Sequence, residues 1–144
     1  MNRIITSLVS LTFLFMLNSC LAQPHKEYSI KNKRAISKYE EAITAYGQYN
    51  SSLALVILED LLHSEDQFAE AYFLMGQIYA EKNEMQKAIA PLEKGLSINA
   101  TIFPMGFYML GECYFSVAEY EKAEQAITTY TKIPKNNPNV HYRA

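Results

Sequence analysis

Two stretches, YFLMGQIYAEKNEMQKAIAPLEKG (residues 72–95) and FYMLGECYFSVAEYEKAEQAITTY (residues 107–130), decide how this chain folds. Laid over one another at a shift of 35 residues, Gly76 meets Gly111, Tyr79 meets Tyr114, Ala88 meets Ala123 and Leu92 meets Ile127. Tyr72 meets Phe107, and Met75 meets Leu110. At a shift of 34 toward the N-terminus, Ala88 falls on Ala54, Leu92 on Leu58, Glu93 on Glu59 and Leu96 on Leu62. A period of that length holding two helical patterns marks a stack of helix hairpins. Within each unit the apolar residues recur at helical spacing: Tyr72, Met75 and Tyr79 in the second, Phe107, Leu110 and Tyr114 in the third.

Glycine inside a helix costs about 1 kcal/mol relative to alanine. Gly76 and Gly111 occupy the same repeat position, which implies that two backbones approach closely there. Ala54, Ala88 and Ala123 serve the same need, as small residues where paired helices cross. The first unit is less regular. Its leading helix offers Ile36, Tyr39, Ile43 and Tyr46, lacks the Leu-Gly pair, and is expected to carry two extra residues in its turn, GQYNSS. End units of a repeat array face solvent on one side and are atypical for that reason. Pro104 falls at a helix start, where its missing N–H costs nothing. Pro91 falls inside a helix, where loss of a backbone hydrogen bond predicts a kink.

The pattern resembles the tetratricopeptide repeat: an aromatic, then Leu-Gly, then Tyr, then a small Ala beyond the turn, then an aliphatic residue and a further Ala. Gly95 and Tyr130 stand where that family favours Ala, and Ala100 where it favours Pro. The resemblance spans residues 31–134 and implies an all-α, right-handed superhelical solenoid of about three helix-turn-helix hairpins. The units are about 31–66, 69–102 and 104–134, with Ala54, Tyr72, Gly76, Tyr79, Ala88, Phe107, Gly111, Tyr114 and Ala123 as repeat-packing positions. Residues 135–144, KNNPNVHYRA, read as a short C-terminal helix that docks through Val140 and Tyr142 or opens a longer segment.

The front of the chain is of another kind. Residues 1–22 carry Arg3, an apolar run from Ile4 to Leu17 and then small and polar residues, the layout of a secretory signal. The run is shorter than the roughly 20 residues a membrane-spanning helix needs. LNSC (residues 17–20) resembles a bacterial lipobox, with Cys20 as the lipidated residue and Asn18 as its departure from the usual small residue. Cleavage after Ala22 is the rival processing. Leu21, next to the cysteine in place of an acidic residue, implies the outer membrane for lipoproteins of this kind. Residues 23–30 form a tether. Removing Arg3 from a chain of formal net charge −2 leaves about −3. The basic residues near the mature start (Lys26, Lys31, Lys33, Arg34, Lys38) are interrupted by Glu27 and followed by Glu40 and Glu41, a solvated face and no nucleic-acid patch.

Nothing in the residues assembles chemistry. The 5 glycines are scattered, the histidines stand apart at positions 25, 63 and 141, and no Cys or His spacing suits zinc. No enzyme, metal or cofactor is expected. With Cys20 lipidated, Cys113 has no internal partner and reads as a small core residue. Function therefore falls to surface. The resemblance carries the family's groove positions onto Phe73, Gln77, Ala80 and Glu81, and onto Tyr108, Glu112, Phe115 and Ser116. Phe73, Gln77, Glu81, Tyr108, Glu112 and Phe115 are the candidate peptide-binding residues, Phe115 being the aromatic most expected to pack on a neighbouring unit instead. Lys, Arg and Asn, which clamp a free C-terminal carboxylate in chaperone-binding repeats, are missing at these places. The expectation is a periplasmic, outer-membrane-anchored scaffold with a protein or peptide partner, similar to the N-terminal repeat module of Bacteroidetes OmpA-family lipoproteins, some of which serve type IX secretion. The alternative is a soluble, secreted assembly chaperone.

Overall fold

A computed structural model describes residues 28–134. It contains α1 (Lys33–Gly47), α2 (Ser51–Ser64), α3 (Ala69–Glu81), α4 (Met85–Asn99), α5 (Met105–Ser116) and α6 (Tyr120–Lys132). There is no strand among the described residues. The signal with Cys20, the tether as far as residue 27 and the C-terminal residues 135–144 lie outside them. Helices pair as α1–α2, α3–α4 and α5–α6, and the second helix of each pair packs on the first of the next. The three expected hairpins are all present.

The turns repeat as closely as the helices. Residues 48–50, 82–84 and 117–119 connect the three pairs, so the first turn has no extra residues, contrary to the expectation for GQYNSS. Each turn passes through the left-handed region at its middle residue: Tyr49 (φ 61°), Asn83 (φ 60°) and Ala118 (φ 64°). None is glycine, so the closure costs about 1 kcal/mol at Tyr49 and at Ala118. In return the freed carbonyls are bonded alike: Asn50 N–H donates to Ala45 O at 3.0 Å, Glu84 N–H to Tyr79 O at 2.9 Å and Glu119 N–H to Tyr114 O at 2.9 Å. Asn50 also caps α2 by accepting from the Leu53 N–H at 3.1 Å.

The crossing within each pair rests on the small residues. A Cβ added at Gly76 would sit 2.6 Å from Leu92 Cγ, and one at Gly111 2.5 Å from Ile127 Cδ1. These are the pairs that coincide at a shift of 35 in the sequence. In the first unit Ala42, fully buried, stands at the glycine position. Ala54 and Ala88 are fully buried and Ala123 is 6% exposed. Tyr72, Tyr79 and Phe107 are half-buried on the core, whereas Tyr114 is buried within it. Pro91 is buried and α4 runs on through it; Pro104 precedes the first residue of α5.

A second recurring contact ties one unit to the next. The Tyr79 hydroxyl donates to Glu59 on α2 at 3.3 Å, and the Tyr114 hydroxyl donates to Glu93 on α4. Glu59 and Glu93 are one repeat apart, as are the tyrosines. Each ring also carries a lysine over its face, Lys87 at 5.9 Å from the Tyr79 centroid and Lys122 at 5.2 Å from that of Tyr114. Those lysines pair with Glu84 and Glu119, both at 2.7 Å. The equivalent of Tyr79 in the first unit is Ala45, and among the described residues no hairpin precedes it.

Residues 28–30, assigned to the tether on sequence, are packed. The Tyr28 ring meets Tyr39 edge-on at 5.6 Å and Phe68 at 6.0 Å. The Ser29 N–H donates to Glu70 Oε1 at 2.8 Å. The segment thus covers the N-terminal side of α1 and α3.

Close approach at Gly76 sets a direct test. Gly76→Val should lower stability by about 1–3 kcal/mol through overpacking against Leu92. Gly47→Ala, at a helix end with nothing within 4 Å of its Cβ, should raise stability by up to about 1 kcal/mol. Chemical denaturation of both variants checks the pair; equal midpoints would exclude a close crossing at Gly76.

Candidate functional site

Whether a groove position shows its side chain depends on the residue it meets on the partner helix. Phe73 lies on α3 facing α4. A Cβ added at Gly95 would sit 2.8 Å from Phe73 Cε1, so the ring lies on bare backbone. It also stacks on Phe103 with centroids 5.0 Å apart. Phe73 is 5% exposed. It is a core residue, which corrects its assignment to the groove. One repeat on, Tyr108 takes the place of Phe73 and Tyr130 that of Gly95. With a ring where glycine had been, Tyr108 cannot nest; the rings lean together at 5.7 Å and Tyr108 remains 39% exposed.

Tyr108 opens a cleft of about 810 Å³ along α5 and α6. Tyr108, Glu112 and Phe115 line it from α5, spaced to share one helical face. Tyr120, Glu124 and Ile127 line it from α6 at the same spacing. Glu81 at the end of α3 and Met85 at the start of α4 complete its inner side. Phe115 is 67% exposed and Tyr120 58%, their rings meeting edge-on at 5.6 Å. Packing on a neighbouring unit, expected for Phe115, is therefore not what the structure shows. Of the six residues singled out in the sequence, the cleft gathers Glu81, Tyr108, Glu112 and Phe115. Gln77 lies beside it, donating to Glu81 Oε1 at 2.9 Å and to the Tyr46 hydroxyl at 3.2 Å. The Tyr46 hydroxyl in turn donates to Glu81.

The lining is acidic. It includes Glu81, Glu112 and Glu124 and no lysine, arginine or histidine. None of the ion pairs among the described residues engages these three carboxylates. The Glu112 carboxylate, accepting from the Tyr108 hydroxyl, raises the phenol pKa above its ordinary value. Cys113, at the base, is buried with its Sγ 3.8 Å from Met85 Sδ, and burial raises its thiol pKa. Among the described residues no three His, Cys, Asp or Glu side chains are placed to hold a metal ion. No described helix is long and apolar enough to cross a membrane.

The contribution of α6 was missed in the sequence, although the period holds its signal. Glu124 falls on Ile89 at a shift of 35 and on Leu55 at a further 34. Those two are buried under the next hairpin, at 9% and 7% exposure, while Glu124 is exposed. A carboxylate at a core position of the period marks a face that turns outward.

Stacked hairpins of this register, with turns at one phase and ties from unit to unit, define a tetratricopeptide-type helical repeat protein. A family model described as "Anaphase-promoting complex, cyclosome, subunit 3" matches residues 47–130, more than half of the chain, and the chain belongs to that family of tetratricopeptide-like repeats. No curated protein matches it. Among solved structures it is similar to the second tetratricopeptide domain of Spaghetti (RPAP3) bound to the HSP90 peptide SRMEEVD, at 12% identity and TM-score 0.65, over 71% of this chain and 94% of that one. The type III secretion chaperone SycD of Yersinia enterocolitica, in complex with a peptide of the translocator YopD, is similar at 16% identity and TM-score 0.66, over 76% and 83%. MamA is similar at 25% identity and TM-score 0.63, over 69% of this chain and 57% of MamA.

The two aromatic environments separate by mutation. Phe73→Ala should cost about 3–5 kcal/mol as a large-to-small core change. Phe115→Ala should stay within about 0.5 kcal/mol of the parent, as exposed substitutions do. Thermal melts of the two variants check this.

Proposed function

We propose that the chain is a non-catalytic scaffold that holds a segment of another protein in the α5–α6 cleft. The observation that carries this is the cleft itself: three exposed aromatic rings, Tyr108, Phe115 and Tyr120, set among carboxylates on rigid helices. Aromatic anchors with polar groups between them are what a peptide-binding groove requires. The similar folds of RPAP3 and SycD, each solved with a peptide, support the same use of the stack. On the sequence of residues 1–22 the scaffold is exported and anchored at the periplasmic face of the outer membrane through an acylated Cys20. A multiply acylated cysteine holds a protein on a bilayer at about 0.8 kcal/mol per buried methylene. In this reading the chain is the repeat module of an OmpA-like envelope lipoprotein, of the kind associated with type IX secretion.

A second reading is a soluble periplasmic or secreted assembly chaperone. It is favoured by the likeness to SycD, a secretion chaperone solved with its client peptide. Both readings share the cleft and differ in the anchor. Globomycin distinguishes them: the lipoprotein accumulates as an unprocessed precursor, whereas normal processing with Gln23 as first residue selects the chaperone.

The cleft has its own test. Tyr108→Ala combined with Phe115→Ala should abolish retention of envelope proteins on the immobilised chain and leave its melting temperature near that of the parent. Undiminished retention by that folded variant would remove the cleft from the function.

A further inference from the structure

The period gives the cleft a second meaning. Leu55 and Leu62 on α2 are buried beneath the next hairpin, and so are Ile89 and Leu96 on α4. On α6 the same phase is held by Glu124 and Thr131, both exposed. Tyr108 keeps the aromatic that Phe73 and Tyr39 hold at its position, and the flank is made acidic. Any helix packed on α6 as α5 packs on α4 would bury Glu124 and would have to supply it with a counter-charge.

We propose, resting on the binding role assigned above, that the α5–α6 face seats an amphipathic helix from a partner protein whose apolar stripe is flanked by Lys or Arg. The helix takes the seat that α5 takes on α3 and α4. Its apolar side chains meet Tyr108, Phe115 and Ile127, and its cations meet Glu112 and Glu124. Charge complementarity commits the occupant: the lining carries three carboxylates and no base, and no ion pair among the described residues satisfies any of them. Arginine suits the site doubly, because a guanidinium can lie on an exposed ring while bonding a carboxylate. Neighbouring rings already take a cation in this way, Lys122 lying over Tyr114 at 5.2 Å. An acidic peptide meets like charge on every side.

The test uses the full mature chain and short fluorescein-labelled helical peptides that share one leucine stripe. The flanking positions are Arg in one peptide, Gln in the second and Glu in the third. Fluorescence anisotropy should rank Arg over Gln over Glu, with the Arg peptide weakened by added salt. Glu112→Gln with Glu124→Gln should weaken the Arg peptide by about five-fold and leave the Gln peptide unchanged. The melting temperature of that variant, read by circular dichroism, confirms that it is folded. Equal affinity for all three peptides, or a preference for the Glu peptide, overturns the charge assignment and leaves the scaffold role standing. No binding of any of them overturns both. Two other occupants would also overturn it. A gain in Arg-peptide affinity of more than about ten-fold on replacing Val140 and Tyr142 by Ser would show that the chain's own tail holds the seat. A dimer in sedimentation that Phe115→Asp splits would show that a second copy does.

Discussion

A side chain that is not there organises this molecule. At Gly76 and Gly111 the leading helix of a hairpin presents bare backbone, and Leu92 or Ile127 from the returning helix fills the space a Cβ would take. The close crossing brings Ala88 and Ala123 into the interface. It also fixes the angle at which each hairpin offers its outer face to the next. The glycines lose helix propensity, about 1 kcal/mol apiece, and the packed leucine or isoleucine offsets it. The tyrosine three residues beyond each glycine then reaches back to a glutamate of the preceding unit, so the register set within a hairpin is carried between hairpins.

That arrangement was largely legible in the sequence because its causes are local and repeat. Gly76 with Leu92 and Gly111 with Ile127 coincide under one shift, and small residues held at a fixed helical phase require a neighbour packed close against them. What escaped was decided by pairs of residues on different helices. Phe73 and Tyr108 share a groove phase, and only their partners Gly95 and Tyr130 make one a core ring and the other a surface ring. The first turn looked longer because Tyr49, Asn83 and Ala118 have no common chemistry, although all three adopt the same left-handed backbone. The share of α6 in the cleft was hidden in a substitution across the period, Glu124 for Ile89, which reads as ordinary surface when its helix is taken alone.

The two ends of the array, over the described residues, are finished differently, and the proposed binding face lies at one of them. At the front, Tyr28 meets Tyr39 and Phe68 edge-on, and Ser29 bonds Glu70, so the chain's own leading segment covers the aromatic residues there. At the back, Tyr108 holds the repeat position of Tyr39. Its ring leans on Tyr130, Phe115 meets Tyr120, and Tyr108, Phe115 and Tyr120 all line the cleft. Tyr46, Gln77 and Glu81 link α1 to the inner side of the cleft through a hydrogen-bonded chain.

The tyrosine-to-glutamate ties have an evolutionary consequence. The middle hairpin carries a donor on its first helix, for the unit before, and an acceptor on its second, for the unit after. A duplicated copy of it spliced in beside itself would meet a matching partner for this tie on either side. As far as this contact is concerned, such an array lengthens or shortens by whole hairpins without leaving a tyrosine or a glutamate unmatched. The terminal hairpins lack one half of the connection and are not interchangeable with it.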